Sequence, residues 1–307
     1  MTYRRAAGVI GAAAGLALVM TVSTVGCSTS ASDTAIQSDA PEALAPAPSA
    51  TASALPSISA NEGPTASPTT PAPVKSPRLP KLNDRNAIVY APLDKPSKVT
   101  KVGRVSDTRA WSTSKVLVVL AYIKTVGRDN PANLSTADKN LIKQALQASD
   151  MNALLTLRGR IPGGSGEPMT EILRDIGDKS TEPWPDSREG SHRWSPQEQV
   201  RFMAALRNKE VVSPEASRFV RKEMKPIPDH RWGLGTVGAK TFKGGWLTAD
   251  TDTRQMGLLR GYAVAIITDG VGPAELQTDG DSAHVRQMNR LARILNRYLD
   301  AEAAKSN

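Results

Sequence analysis

Arg109-Ala-Trp-Ser-Thr-Ser-Lys-Val-Leu-Val-Val-Leu-Ala-Tyr-Ile123 is the stretch on which the reading of this chain turns. From Val116 to Ile123 it carries no charge. An apolar run of that kind reads as a helix buried on every side, expected here from Ser112 to about Val126. Ser112 and Lys115 then lie three apart in the first turn, where their side chains share one helix face. A serine beside a lysine in a half-buried place is a nucleophile with a candidate base. In isolation the pair also fits a capping serine and a surface lysine, so the rest of the chain has to decide.

Upstream, Ala87-Ile-Val-Tyr90 and the alternating Val99 to Val105 read as strands, with Lys95-Pro-Ser97 turning between them. Downstream come helices. Ser135-Thr-Ala-Asp138 starts one that ends near Ser149-Asp-Met-Asn152, and a short one runs from about Met169 to Ile176. Thr181 to Arg193 is a polar loop. Ser195-Pro-Gln-Glu198 is a capping box with proline at the first helical position, and Ser213-Pro-Glu215 starts another helix. Phe242–Leu247, Gln255–Leu259 and Tyr262–Thr268 read as a meander. A last helix, about Asp281 to Ala301, carries Val285, Met288, Leu291, Leu295 and Tyr298 as its apolar stripe. The order predicts an α+β fold: a five-stranded antiparallel sheet with flanking helices and a helical lobe inserted between strands two and three.

The chain has 307 residues, 4% aromatics, one cysteine and a formal charge of +9. One cysteine excludes an intramolecular disulfide. Residues 1–26 read as an export signal, with Arg4 and Arg5 ahead of an apolar, small-residue-rich run. Removing those two arginines takes the charge from +9 to +7. Thr24-Val-Gly-Cys27 resembles the bacterial lipobox, apart from Thr24 where Leu is usual, so Cys27 is expected to carry a lipid anchor. An uncleaved membrane anchor is the competing reading, and the apolar length permits it. Residues 27–84 are an Ala/Pro/Ser/Thr-rich linker, which cannot bury enough apolar surface to offset its ordering entropy. The folded domain is expected over 85–303. The basic excess suits an anionic envelope; with no basic run interleaved with aromatics, no nucleic-acid partner is expected. His192, His230 and His284 lack metal-ligand spacing, so neither a metal nor a cofactor is expected.

Two further motifs follow Ser112-x-x-Lys115 in order: Ser149-Asp-Met in the inserted lobe, and Lys243-Gly-Gly-Trp246 on the first meander strand. The set resembles that of the penicillin-recognising serine hydrolases, the class A β-lactamases and D,D-peptidases, whose motifs are S-x-x-K, S-D-N and K-T-G. The resemblance covers roughly residues 86–301. It implies Ser112 as the acylated nucleophile, Lys115 as acceptor of its proton, Ser149 as proton relay and Lys243 as second cation and anchor for a substrate carboxylate. It further implies an oxyanion hole from the backbone N–H groups of Ser112 and Trp246, with Gly244, Gly245 and Asn152 at substrate-binding positions. The implied partner is a peptidoglycan peptide or β-lactam-like small molecule, met by a monomer anchored at the extracytoplasmic face of the cell membrane.

The sequence departs from the pattern at three places. Met151 stands where the middle motif has Asn, with Asn152 one place on. Gly244 stands where the last motif has a hydroxyl. Glu182 and Glu189, in the loop that carries the deacylating Glu of class A enzymes, lack its flanks. These departures favour the runner-up, the same fold serving as a catalytically inactive cell-envelope binding module.

Overall fold

The strands follow from alternation and from one tight turn. β4 (Thr253–Leu259) and β5 (Tyr262–Thr268) pair antiparallel, with Leu259 opposite Tyr262. Arg260 and Gly261 close the hairpin at φ 51° and 83°, the left-handed pair that a two-residue turn between twisted strands requires. β5 pairs on its other side with β1 (Asn86–Pro92), which pairs with β2 (Thr100–Gly103). β3 (Thr241–Trp246) lies beyond β4, giving one antiparallel sheet of order β2-β1-β5-β4-β3. The computed structural model describes residues 79–106, 108–184, 188, 190–246, 252–271 and 283–306. The expected signal, Cys27 and nearly all of the expected linker lie outside them.

The sheet separates two cores. On one face Ile88, Val264 and Ile266 meet Val285, Met288, Leu291, Leu295 and Leu299 of α7 (Ala283–Ser306). On the other, Val89, Ala263, Ala265 and Met256 meet the inserted helices. There α1 (Lys115–Thr125) is buried along its whole apolar run. Each such side chain contributes about 1.5–3 kcal/mol relative to exposure, which fixes α1 as the pillar of the lobe.

Around α1 stand α2 (Thr136–Lys143), α3 (Met151–Gly159), α4 (Gly166–Asp175), α5 (Pro196–Asn208) and α6 (Pro214–Glu223). Three details differ from the sequence reading. Ser112 lies in a 3-10 turn, Trp111–Ser114, ahead of α1. α3 was not anticipated, although Asp150 caps it by accepting the Ala153 amide at 2.8 Å. The Ser195 box is half-formed: Ser195 Oγ accepts the Glu198 amide at 3.2 Å, but the Glu198 carboxylate pairs with Arg201.

Candidate functional site

The Ser112 turn is clamped from several directions. Trp111, immediately before the serine, has φ 46°, an uncommon and strained conformation for a bulky residue. Its amide donates to Gly190 O at 2.8 Å and its indole Nε1 to Asp252 Oδ1 at 2.8 Å. Gly190 has φ 78°, and a Cβ there would stand 2.7 Å from Trp111 O, so only glycine fits this approach. Ala110 N donates to His192 O at 2.8 Å, and Gln199 Nε2 to Thr113 Oγ1 at 2.8 Å. A Cβ on Gly245 would lie 3.0 Å from Ala110 O and from the Ser112 and Thr113 amide nitrogens. β3 therefore runs directly against the turn, with Trp246 following Gly245. Ser112 itself is half-buried.

The lysines converge beside it. Lys115 and Lys243 are both buried. Lys243 Nζ donates to Ser149 Oγ at 2.8 Å and to Gly244 O at 2.9 Å. Lys115 Nζ lies 3.4 Å from Met151 Sδ. Burial, and then the neighbouring Lys115, hold the Lys243 amine well below the usual lysine range. Two ammonium groups this deep and this close repel, so the pair favours fewer than two protons. Ser149 is presented by a π-helical turn, Gln144–Ala148, and takes φ 62°; such turns recur at functional sites.

Ser149, Lys243, Lys115 and Met151 thus form one connected group, and Ser112 adjoins it through its turn and through Gly245. Asn152, expected at the substrate, is exposed in the first turn of α3, and Met151 rather than Asn152 reaches Lys115. Gly244 has a specific cause: a Cβ there would stand 2.8 Å from Cζ3 of Trp246. That indole packs on Trp232 and His230, with ring centroids 5.2 and 5.3 Å away. Glu182 is exposed and paired with Arg174; Glu189 lies outside the described residues. The roles of Trp111, Gly190 and Gln199 escaped the sequence reading. Only Gly190, inside a polar loop, carried a signal there. Among the described residues no group of three His, Cys, Asp or Glu could hold a metal.

No protein-family model matches this sequence, and no curated protein does. Solved structures do. A chromosome-encoded β-lactamase of Vibrio parahaemolyticus matches at TM-score 0.54 and 15% identity, over 70% of this chain and 93% of that one. The chain has the fold of the penicillin-recognising serine hydrolases. PBP-A matches the same fold at TM-score 0.54 and 19% identity, over 74% of this chain and 93% of its own. A class A β-lactamase representative from Bacteroides cellulosilyticus matches at TM-score 0.54 and 15% identity, over 71% and 92%. Such identities establish the shared fold.

Proposed function

We propose that this protein is an exported, lipid-anchored serine hydrolase of the β-lactamase or D,D-peptidase type with slow turnover, forming an acyl-enzyme at Ser112 with cell-wall peptide or β-lactam amides. The observation that carries the reading is the convergence of Ser149, Lys243 and Lys115, from three separate segments, beside the clamped Ser112 turn. A lysine pair short of two protons offers an amine to take the Ser112 proton, and Lys115 is three residues from it on the same turn. Ser149, bonded to Lys243, relays that proton towards the leaving nitrogen. The amides of Ser112 and Trp246 receive the developing oxyanion.

Slow turnover follows from the departures. Gly244 lacks a hydroxyl that would bind a ligand carboxylate, about 1.5–3 kcal/mol, and Met151 lacks an amide worth about 0.5–1.5 kcal/mol. Independent losses of that size cost about 30- to 2,000-fold in transition-state binding. Chromogenic cephalosporin hydrolysis by purified protein, beside Ser112→Ala, tests this: slow Ser112-dependent turnover is expected, and rapid turnover contradicts it. For the anchor, Cys27→Ser should abolish labelling by a palmitate analogue and retention in membranes; unchanged labelling contradicts it. The second reading, an inactive binding module, draws on the thioether and indole standing where substrate-gripping groups would be.

A further inference from the structure

Met151 differs from every other methionine among the described residues. Met169, Met203, Met224, Met256 and Met288 are 0% exposed, whereas Met151 is 44% exposed. It opens α3, and its sulfur lies 3.4 Å from Nζ of the fully buried Lys115. A thioether is a weak hydrogen-bond acceptor. A sulfoxide oxygen is polar and accepts strongly, and a bond from an ionised amine is about twice as strong as a neutral one. An oxidant reaching this part-exposed side chain would therefore change one partner of a buried lysine without disturbing the core.

We propose that Met151 is an oxidant-sensitive modification site: a peroxide converts its thioether to the sulfoxide, and the new oxygen accepts the hydrogen bond of Lys115. The sulfur lone pair attacks one peroxide oxygen and the O–O bond breaks; that oxygen forms the S–O bond and gives up its proton, and the other leaves as water after taking up a proton. Sulfur loses two electrons and the peroxide gains them. Methionine sulfoxide reductase reverses the step with a thiol reductant. The flexible, exposed side chain can turn to present its oxygen. The oxygen then engages the amine proposed above to take the Ser112 proton, and that transfer slows. The effect on acylation rests on the function proposed above; the modification itself does not.

The test treats the full chain with hydrogen peroxide and maps oxidation by peptide mass. Met151 should gain one oxygen about tenfold or more faster than the five buried methionines. In [13Cε]lysine NMR spectra, with Lys115 assigned through Lys115→Met, its resonance should shift on oxidation as its contact changes from sulfur to oxygen. It should return after reductase treatment with thiol. Met151→Leu should show no such response. Phosphonylation of Ser112 by a fluorophosphonate, with loss of fluoride, should slow about threefold or more on oxidation of the wild type, and not respond in Met151→Leu. Oxidation of Met151 no faster than the buried methionines, an unchanged Lys115 resonance after full oxidation, or an equal response in Met151→Leu would each overturn the proposal. If Ser112 accepts no acylating probe, the hydrolase reading fails, and the mass and NMR arms still decide the switch.

Discussion

The turn carrying Ser112 and the segments facing it are held to different degrees. Trp111 keeps φ 46° because Gly190, His192, Asp252, Gly245 and Gln199 surround the turn with backbone contacts and hydrogen bonds. Strain of this kind costs on the order of 1–3 kcal/mol and persists only where neighbours over-determine it. Beside the turn, Lys115 meets the thioether of Met151, and an indole fills the space beside Gly244. The parts that would perform acyl transfer are rigidly placed, while groups that would grip a substrate are replaced. That contrast leads us to expect acylation without efficient turnover.

Breaking the rigid side should have the largest effect. Gly190→Ala puts a Cβ against the Trp111 backbone at a positive φ, and should cost about 2–4 kcal/mol in denaturant unfolding. A loss below about 0.5 kcal/mol, the range of neutral surface changes, would show that the clamp is not tight.

Acid should loosen the same side. Burial, then Arg254 and Arg158, push His192 from 6.5 down to about 4. A depressed histidine contributes its full stability above about pH 6.5 and loses it as pH falls towards 4. The fall amounts to about 3 kcal/mol. Thermal melts from pH 7 to 4 should show this fall in the wild type and a correspondingly smaller one in His192→Phe. Parallel curves would contradict the assignment.

Restoring the other side should sharpen the contrast. Gly244→Thr alone must displace the Trp246 ring from Trp232, costing about 0.5–1.5 kcal/mol in stability. Combined with Trp246→Ala, the hydroxyl gains room, and penicillin acylation should rise about 10- to 150-fold. Met151→Asn, whose side-chain amide N–H can donate to a substrate carbonyl, should raise it by a smaller factor, about 2- to 12-fold. Stopped-flow acylation rates decide both; no gain from either would mean that the replaced groups do not limit acylation.

Periodicity made the architecture legible in the sequence. The uncharged run Val116–Ile123 marked the central helix, the alternating strands marked the sheet, and the stripe from Val285 to Tyr298 marked the helix on its far face. Three motifs in order pointed to Ser112, Lys115, Ser149 and Lys243, and the structure bonds Lys243 to Ser149. α3 was hidden because its start, Ser149-Asp150, also reads as a helix-end turn. The positive φ of Trp111 and the approach of Gly190 arise from contacts distant in sequence, which no local pattern encodes. Gly244 read as a loss; the indole two residues on explains it only once strand geometry places both on one face.

Intact mass after incubation with a fluorophosphonate and with a penicillin, for the wild type beside Ser112→Ala, tests the acyl-serine reading most directly. A mass increase equal to one phosphonyl group or one penicilloyl group in the wild type, absent from Ser112→Ala, is the expected result. No adduct with either probe, or an equal adduct in Ser112→Ala, would contradict it.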